Sequence, residues 1–408
     1  MAASDRALYQ ATVPYDAETR AQWRNMVVPR AEYDERLTRV RNEMQAMGLD
    51  GLLVGNSGDP SGVAYLANYN RGSGTTNLLI PLEREPIAFS DYLLHGEPMH
   101  STLADISFDD LRPASPYGEA PGNVAQLVAQ AVRELGLDQA TIGLASPRTL
   151  SSGQLDQLRS ELPGVRWADG TLALTKPRAI KSAREIALMR RAAEMTGVAL
   201  LAAQDAIRPG VTERDVATAA HVAMFAAGAE GLAFDTAVSS GPRAGLKHGA
   251  PTDRTMDEGD LVFLDMGALW GGYHADVSRC AGVGSISNDK QDFLDAAKRM
   301  FEAALDAVKP GNTLSAVYRA AQQMAEETGY LNDYQANGLG HGLGLSLFEL
   351  PIVTPDSPQF LSDENILKPG MIFALEPMLV RYGYGTAVVE ETVLVTEDGA
   401  ETLSGIPW

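Results

Sequence analysis

The chain has 408 residues, a length that suits two domains better than one core. Its formal net charge of -20 at pH 7 argues against binding to nucleic acid or to an anionic membrane surface. The single cysteine, Cys280, excludes a disulfide within the chain, and no run of about 18 apolar residues predicts a membrane span. Together with a polar N-terminal segment, these features predict a cytoplasmic protein with no nucleic-acid or membrane partner.

Helix and strand signals alternate through the first part of the chain. Residues 1–30 show no clear periodicity and are expected to form an arm. Residues 31–47 have the pattern of an amphipathic helix, and Gly51 to Val54 that of a buried strand. Because such signals continue to about Asp169, we predict an α/β domain, with a structural or substrate-shaping role.

A domain boundary is predicted near Thr171–Pro177, which gives domains at 1–172 and 173–408. Just after it, Ser182 and Glu185 have the spacing of a capping box, in which each residue caps the other's backbone N–H. The Ala-, Leu- and Met-rich segment that follows predicts a long helix opening the second domain.

The second domain contains two copies of one pattern. Arg208–Thr212 and Lys309–Thr313 both contain Pro-Gly and end in a threonine that introduces a helix. Further on, Glu258–Asp265 parallels Pro369–Glu376, with the glycine equally far before the acid in each. Each copy therefore reads as two helices, a glycine turn, a strand and an acid. Two such halves predict one site at a pseudo-twofold axis.

Five residues of this domain are candidate metal ligands: Asp265, Asp276, His341, Glu376 and Glu390. Four are carboxylates in apolar, strand-like segments, where an ionised carboxylate is costly unless it is paired or binds a metal. Any one of them could instead pair with a buried arginine. A turn at Gly271-Gly272 is expected to bring Asp265 and Asp276 nearly opposite each other. A reversal near Gly383 is expected to do the same for the two glutamates.

The chemistry of this set predicts the metals. Carboxylates held close together repel, and a divalent cation between them removes the conflict. His341 adds a nitrogen ligand from a glycine-rich segment, where backbones can approach closely. Oxygen-rich ligation with one imidazole suits Mn, Fe or Co at least as well as Zn. Four carboxylates and an imidazole suit two divalent ions about 3.5–4 Å apart.

These motifs resemble the pita-bread family of methionine aminopeptidases, Xaa-Pro aminopeptidases, prolidases and creatinases. The resemblance runs from about residue 31 to the C-terminus and includes the segment ERLTRVRNEMQAMGLDGLLV and the boundary motif Arg178–Ile186. Short methionine aminopeptidases lack this N-terminal part, so the creatinase and Xaa-Pro branch is the better match. The resemblance implies an α+β fold. A C-terminal pita-bread domain, a duplicated ααβ-hairpin, would follow an N-terminal α/β creatinase-type domain.

The resemblance also assigns roles to the ligands. Asp265 would chelate one metal, and His341 and Glu376 the other. Asp276 and Glu390 would bridge the two ions. All five positions match the family's ligand set.

Two catalytic residues follow from the same resemblance. Glu376 would shuttle a proton as well as bind metal. His248, in KHGAPTDR, matches the family's substrate-facing histidine, which steadies the developing oxyanion.

The chain departs from the Xaa-Pro peptidase pattern at two expected substrate contacts. The loop usually reads HGIGLxxHExP, whereas here it reads HGLGLSLFELP, so Phe348 replaces a substrate-contacting histidine. Val388 replaces the usual arginine two residues before the last ligand. An apolar Phe348 favours a smaller or less polar substrate.

The leading hypothesis is a dinuclear metal-dependent hydrolase of the Xaa-Pro aminopeptidase or dipeptidase type, acting on a small peptide. Phe348 and Val388 keep open an alternative on the same metals, with a small zwitterionic substrate. That enzyme would be a non-peptidic amidinohydrolase or amidase, as in creatinases, or a lyase like the one that acts on dimethylsulfoniopropionate. A non-catalytic scaffold protein is a third alternative. By analogy with relatives of this domain layout, a homodimer is expected.

Overall fold

The computed structural model describes residues 28–68, 75–91, 107–114, 122–145, 150–335, 338–354 and 365–408. The chain divides into two compact units, Met1–Pro177 and Arg178–Trp408. Most of the predicted arm, residues 1–27, lies outside the described residues. Among the helices of the described residues, none combines the length and the apolar character that a membrane crossing needs.

The first unit is built on a six-stranded mixed sheet. Its strands are β1 (Gly51–Gly55), β2 (Thr76–Pro81), β3 (Ile87–Ser90), β4 (Asp110–Pro113), β5 (Thr141–Leu144) and β6 (Arg166–Asp169). Its helices are α1 (Arg30–Ala46), α2 (Ser61–Ala67), α3 (Val124–Glu134), α4 (Ser152–Glu161) and α5 (Thr171–Ala179). The strand order is β4-β3-β2-β1-β5-β6, with β1 antiparallel to β2 and parallel to β5. This confirms the α/β fold predicted for the first domain.

Helix α3 shows how the sequence produces this layer. Asn123 and Gln126 form a capping box at its start, which satisfies backbone N–H groups that the helix leaves unpaired. Its apolar stripe, including Leu127 and Val128, packs on Leu53 of the central strand β1. Burial of each such side chain stabilises the unit by about 1.5–3 kcal/mol.

The second unit has four long helices and thirteen strands among its described residues. The helices are α6 (Ala183–Ala206), α7 (Glu213–Ala226), α8 (Asn288–Ala307) and α9 (Leu314–Glu327). The strands of the first copy are β7 (Gly231–Leu232), β8 (Ala237–Ser240), β9 (Leu261–Met266), β10 (Ala268–Trp270), β11 (Tyr273–His274) and β12 (Val277–Gly282). Those of the second are β13 (Gly340–Gly342), β14 (Glu349–Val353), β15 (Ile372–Leu375), β16 (Met378–Arg381), β17 (Gly385–Val388), β18 (Glu391–Val395) and β19 (Ala400–Thr402).

The duplication predicted from the sequence is present in the backbone. Thr212 caps α7 and Thr313 caps α9, each accepting a hydrogen bond from a backbone N–H in the first turn. The turn glycines adopt the left-handed conformation that glycine allows without strain. Their φ values match in pairs: Gly210 at 85° with Gly311 at 84°, and Gly259 at 83° with Gly370 at 87°.

Each copy covers one face of its sheet with its two helices. In the first copy, Met195 of α6 packs with Val262 and Leu264 of β9. In the second, Phe301 of α8 packs with Leu375 of β15. Since side chains alternate along a strand, the residues between these core positions point to the opposite face. The candidate acids lie on that opposite face.

Candidate metal centre

The first hairpin carries Asp265 and Asp276. Strand β9 pairs with β12 so that Asp265 lies across from Ser278, and the chain reverses at Gly271 and Gly272, whose φ values are 57° and 78°. The two aspartates are therefore diagonal neighbours, offset by two residues from the nearly opposite arrangement expected. Diagonal side chains in a hairpin are still close enough to interact.

The second hairpin brings Glu376 across from Glu390. Leu375 of β15 pairs with Glu391 of β18, and Met378 of β16 pairs with Val388 of β17. The two strands of this hairpin pair in the same register before and after Glu376-Pro377, where β15 ends and β16 begins. The two glutamates therefore face each other.

Hydrogen bonds join the two hairpins. The Glu390 N–H donates to the Ser278 carbonyl at 3.0 Å, and the Ser278 hydroxyl donates to the Glu390 carboxylate. The Asp276 N–H donates to the Thr392 hydroxyl at 3.1 Å, and that hydroxyl donates back to the Asp276 carbonyl at 3.0 Å. These contacts bring the acids of both copies to one place.

His341 reaches the acids from β13, a three-residue strand paired with β15 on one side and β14 on the other. The flanking glycines are required by this close packing. A Cβ on Gly340 would lie 1.9 Å from the Ala374 carbonyl oxygen, and one on Gly342 would lie 2.2 Å from that of Leu350.

The five predicted ligands form one cluster, in which Glu376 is half-buried and the other four are buried. One carboxylate oxygen each from Asp265, Asp276 and Glu390 lie within 4.8 Å of one another. The Nε2 atom of His341 is 3.7 Å from Asp276 Oδ2 and 3.8 Å from Glu376 Oε1. The cluster thus combines residues from both halves of the second unit.

The carboxylates of this cluster resist being ionised together, a conflict that a bound cation would relieve. Burial, reinforced by the neighbouring carboxylates, raises the pKa of Asp276 and of Glu390 well above the usual range. Burial and the charge of Asp265 raise the pKa of Glu376 to about 7. Burial lowers the pKa of His341, which keeps the imidazole neutral at pH 7, the form that binds metals.

The unpaired atoms of the cluster fit a divalent metal. Within the described parts of the chain, Oδ1 of Asp265 and Oδ1 of Asp276 are buried without a hydrogen-bond partner. Buried polar atoms are normally satisfied, and such exceptions are expected where an ion binds. Carboxylate oxygens with one imidazole form a donor set that first-row divalent metals accept.

The raised pKa of Glu376 predicts the pH dependence of the metal-free protein. An acid whose pKa is higher in the folded state than in the unfolded chain makes folding less favourable as pH rises between the two values. In chelator, Glu376 should therefore lower the free energy of unfolding from about pH 4.5 to about pH 7, by on the order of 3 kcal/mol in total. Denaturant unfolding at pH 5 and pH 8 measures the change.

Glu376→Gln is the control for this prediction, because it removes the titrating group and keeps the size of the side chain. This variant should show a weaker pH dependence of the free energy of unfolding. The general repulsion among the other acidic groups of the protein stays the same. An unaltered slope in this variant would contradict the assignment.

His248 lies at the edge of the cluster. Its side chain is 67% exposed, and Nδ1 is 3.6 Å from Asp265 Oδ2. The neighbouring Asp265 carboxylate raises the pKa of His248, although partial burial opposes this. Its backbone adopts a left-handed φ of 63°, which is uncommon outside glycine.

The two predicted specificity positions differ in accessibility. Phe348 is 66% exposed, and its ring centroid is 4.1 Å from that of His341. Val388 is 2% exposed and packs in an apolar cluster with Phe263 and Met378. A side chain so deeply buried can influence a substrate only through its neighbours.

Sequence reasoning missed the residues that support the acids. Glu391, next to Glu390, is fully buried and pairs with the guanidinium of Arg279. Both glutamates occur in the same apolar segment, so the sequence signal for them is the same. Only the alternation of strand faces separates a candidate ligand from a structural ion pair.

Fold and site together define a class: a two-unit chain with a duplicated helix–hairpin unit and a buried carboxylate-rich centre suited to divalent metal ions. Residues 187–397 match the metallopeptidase family M24, and residues 36–180 match the creatinase/prolidase N-terminal domain. The chain belongs to the metallopeptidase family M24. This confirms the family and fold predicted from the sequence, and with them a requirement for divalent metal ions.

Several Xaa-Pro dipeptidases are similar to this chain. The one from Pyrococcus furiosus is 37% identical over 56% of this chain and 63% of its own length. That from Pyrococcus horikoshii is 35% identical over 65% of this chain and 73% of its own length. The structure of an Xaa-Pro dipeptidase from Bacillus anthracis has a TM-score of 0.79 at 26% identity, covering 92% of this chain and 98% of that one. These relatives support metal-dependent hydrolysis of peptide bonds.

Proposed function

We propose that this protein is a dinuclear metal-dependent hydrolase that cleaves small Xaa-Pro peptides. The observation that carries the proposal is the buried junction of Asp265, Asp276 and Glu390, whose oxygens lie within 4.8 Å of one another in a chain of the M24 family. Relatives named Xaa-Pro dipeptidase support the substrate class.

In this proposal, Asp265, His341 and Glu376 would hold two divalent ions, and Asp276 and Glu390 would complete the ligand set. When bound, two divalent ions supply polarisation of the scissile carbonyl and a water molecule activated at neutral pH. Manganese is the proposed metal, because an oxygen-rich set with one imidazole suits it.

Two side chains have proposed roles in the reaction itself. Glu376, whose carboxylate borders the cluster 3.8 Å from His341 Nε2, moves the proton from water to the leaving amine. His248 faces the substrate and donates a hydrogen bond to the oxygen on which negative charge develops. Its exposed ring, close to Asp265, supports this role.

Phe348 is proposed to contact the substrate beside the metals. An exposed aromatic ring against His341 offers an apolar surface in place of a hydrogen-bonding group. Such a surface suits the pyrrolidine ring of proline better than a polar residue. Val388 acts indirectly, by packing behind the site.

The remaining proposals concern the whole protein. The chain is proposed to consist of a first domain, 1–172, and a second domain, 173–408, which carries the metals. The functional form is proposed to be a cytoplasmic homodimer that acts on small peptides, by analogy with relatives of the same domain layout.

A substrate panel tests the proposed activity. Manganese-loaded protein should hydrolyse Xaa-Pro dipeptides and tripeptides and lose this activity in chelator. Phe348→His should lower kcat/KM for substrates with apolar residues. It should raise kcat/KM about tenfold for substrates that have a free carboxylate after proline, because a protonatable histidine can bind that carboxylate. Steady-state kinetics on both proteins measure the change.

Phe348→Leu is the matched control, since it remains apolar and gains no charge. A gain that appears equally in this variant would not come from the histidine. If neither the wild-type protein nor Phe348→His cleaves Xaa-Pro peptides, while both hydrolyse a small zwitterionic amide, the peptidase proposal is wrong. The metal site then serves a non-peptidic substrate.

A further inference from the structure

The segment that carries His248 has a backbone that must be held in place. It connects β8 to β9 and begins with a short 3₁₀ turn at Gly241–Gly245. His248 itself has a left-handed φ of 63°. Non-glycine residues keep such conformations only where the surrounding structure determines them strongly, commonly at functional sites.

Glu213 contacts both ends of this segment from outside it. It is the first residue of α7, and it is fully buried. At one end of the segment, the Ser240 N–H donates to Glu213 Oε1 at 2.8 Å and the Ser240 hydroxyl donates to the same atom at 2.9 Å. At the other end, the Thr252 N–H donates to Oε2 at 3.0 Å and the Thr252 hydroxyl at 2.6 Å.

Arg243, which lies within the segment, makes a third contact with Glu213. Its guanidinium forms an ion pair with Glu213 and also donates to the Ala250 carbonyl at 3.1 Å. One carboxylate is thus bonded to the start, the turn and the end of the segment. Burial opposes ionisation of Glu213, but the hydrogen bonds from Thr252, Ser240 and Arg243 outweigh it and lower its pKa.

The start of the segment is equally constrained. Gly241 has a φ of 54°, and a Cβ there would lie 2.6 Å from both Arg254 Nη2 and Asp260 Oδ1. Arg254 in turn donates to the Ser240 hydroxyl and to Asp260, both at 2.7 Å. Ser240, the residue that Glu213 binds, is therefore fixed from two sides.

We propose that Glu213 is a positioning residue: it binds both ends of the 240–252 segment and thereby sets where His248 stands relative to the metal centre. This inference rests on the role proposed above for His248. Glu213 acts on the reaction only through the segment and contributes neither to metal binding nor to substrate contact.

A double-mutant cycle tests the connection to His248. His248→Ala should lower kcat by about 100-fold, the cost of removing one oxyanion donor. Glu213→Ala should lower kcat by tenfold or more, with a smaller change in KM. The double variant should lose no more than His248→Ala alone, because residues that act through one group are not additive. Losses that multiply in the double variant would overturn the proposal.

Hydrogen exchange provides a readout independent of turnover. In Glu213→Ala, peptides covering 240–252 should exchange faster, while peptides covering β9 and β15 and the bound manganese content stay unchanged. Unchanged exchange in 240–252 would overturn the proposal even if activity fell. If Glu213→Ala does not fold, Glu213→Gln gives the same comparison, since it keeps the shape and loses the ion pair with Arg243.

Asp215→Ala is the matched control, an acid in the same first turn of α7. The Asp215 carboxylate accepts hydrogen bonds from Thr212 and does not contact the segment. It should leave the exchange of 240–252 and kcat unchanged. If His248→Ala turns over normally, the proposed role of His248 fails, whereas the exchange result still decides whether Glu213 holds the segment.

Discussion

Asp276→Ala should reduce kcat/KM by at least about 10³-fold and prevent tight binding of the metals. Asp276 lies at the centre of the cluster, in contact with His341 and close to both Asp265 and Glu390. Loss of an outer-shell partner alone commonly costs 10–100-fold in metal affinity or activity, so loss of a proposed ligand itself should cost more. Metal analysis after gel filtration and steady-state kinetics measure the two effects.

The stability of the same variant separates a metal ligand from a structural acid. Manganese at 100 times its dissociation constant should stabilise the wild-type protein by about 2.7 kcal/mol and the variant by far less. In chelator the variant should be at least as stable as wild type, because the substitution removes a buried carboxylate that repels its neighbours. Thermal unfolding with and without manganese gives both values.

Full turnover by an Asp276→Ala, Glu390→Ala double variant would refute the proposed centre. Glu391→Gln is the contrasting control, since this buried acid is adjacent in sequence to Glu390 but pairs with Arg279. Glu391→Gln should lower the free energy of unfolding in chelator, whereas Asp276→Ala should not.

Arg279→Met should destabilise the protein by about 3–5 kcal/mol, the cost of leaving one partner of a buried ion pair alone. Arg279 is 3% exposed and pairs with Glu391, which is fully buried. Its guanidinium also donates to the backbone carbonyls of Glu390, Ser278 and Pro407, at 2.7, 3.0 and 3.2 Å. It therefore joins the two hairpins at the point where they carry the acids. Denaturant unfolding in chelator isolates this effect from metal binding.

The double variant Arg279→Met, Glu391→Leu tests the cause. Removal of both charged partners leaves no unpaired buried charge, so much of the stability should return. If Arg279→Met unfolds at the wild-type denaturant concentration, or if the second substitution restores nothing, the ion pair does not stabilise the junction.

The sequence predicted the elements around the acids well where local rules apply. The Ser182–Glu185 capping box starts α6, and Thr212 starts α7, because capping depends only on residues within one helical turn. The duplicated glycine turns were recognisable because only glycine adopts their φ without strain. Alternation along the strands places Asp265 on the face opposite Val262 and Leu264.

Other features depend on contacts between distant residues. The junction of the two hairpins follows from contacts such as the hydrogen bond from the Ser278 hydroxyl to Glu390. The burial of Val388 follows from its packing against β9, far away in sequence. In the sequence, Glu213 has no feature beyond those of a first-turn acid, since nothing near it indicates that it binds Ser240 and Thr252.

The sequence by itself determined the family, the two-part fold and the candidate ligand set. It could do so because acids in apolar strands, glycine turns and helix caps are local patterns with direct physical costs. Only the tertiary structure decided which buried acid joins the cluster and which pairs with an arginine, and that His248 stands on a segment held by Glu213. These outcomes depend on strand register and on partners far apart in the chain, and the free energy of a buried charge depends on the groups that fold around it.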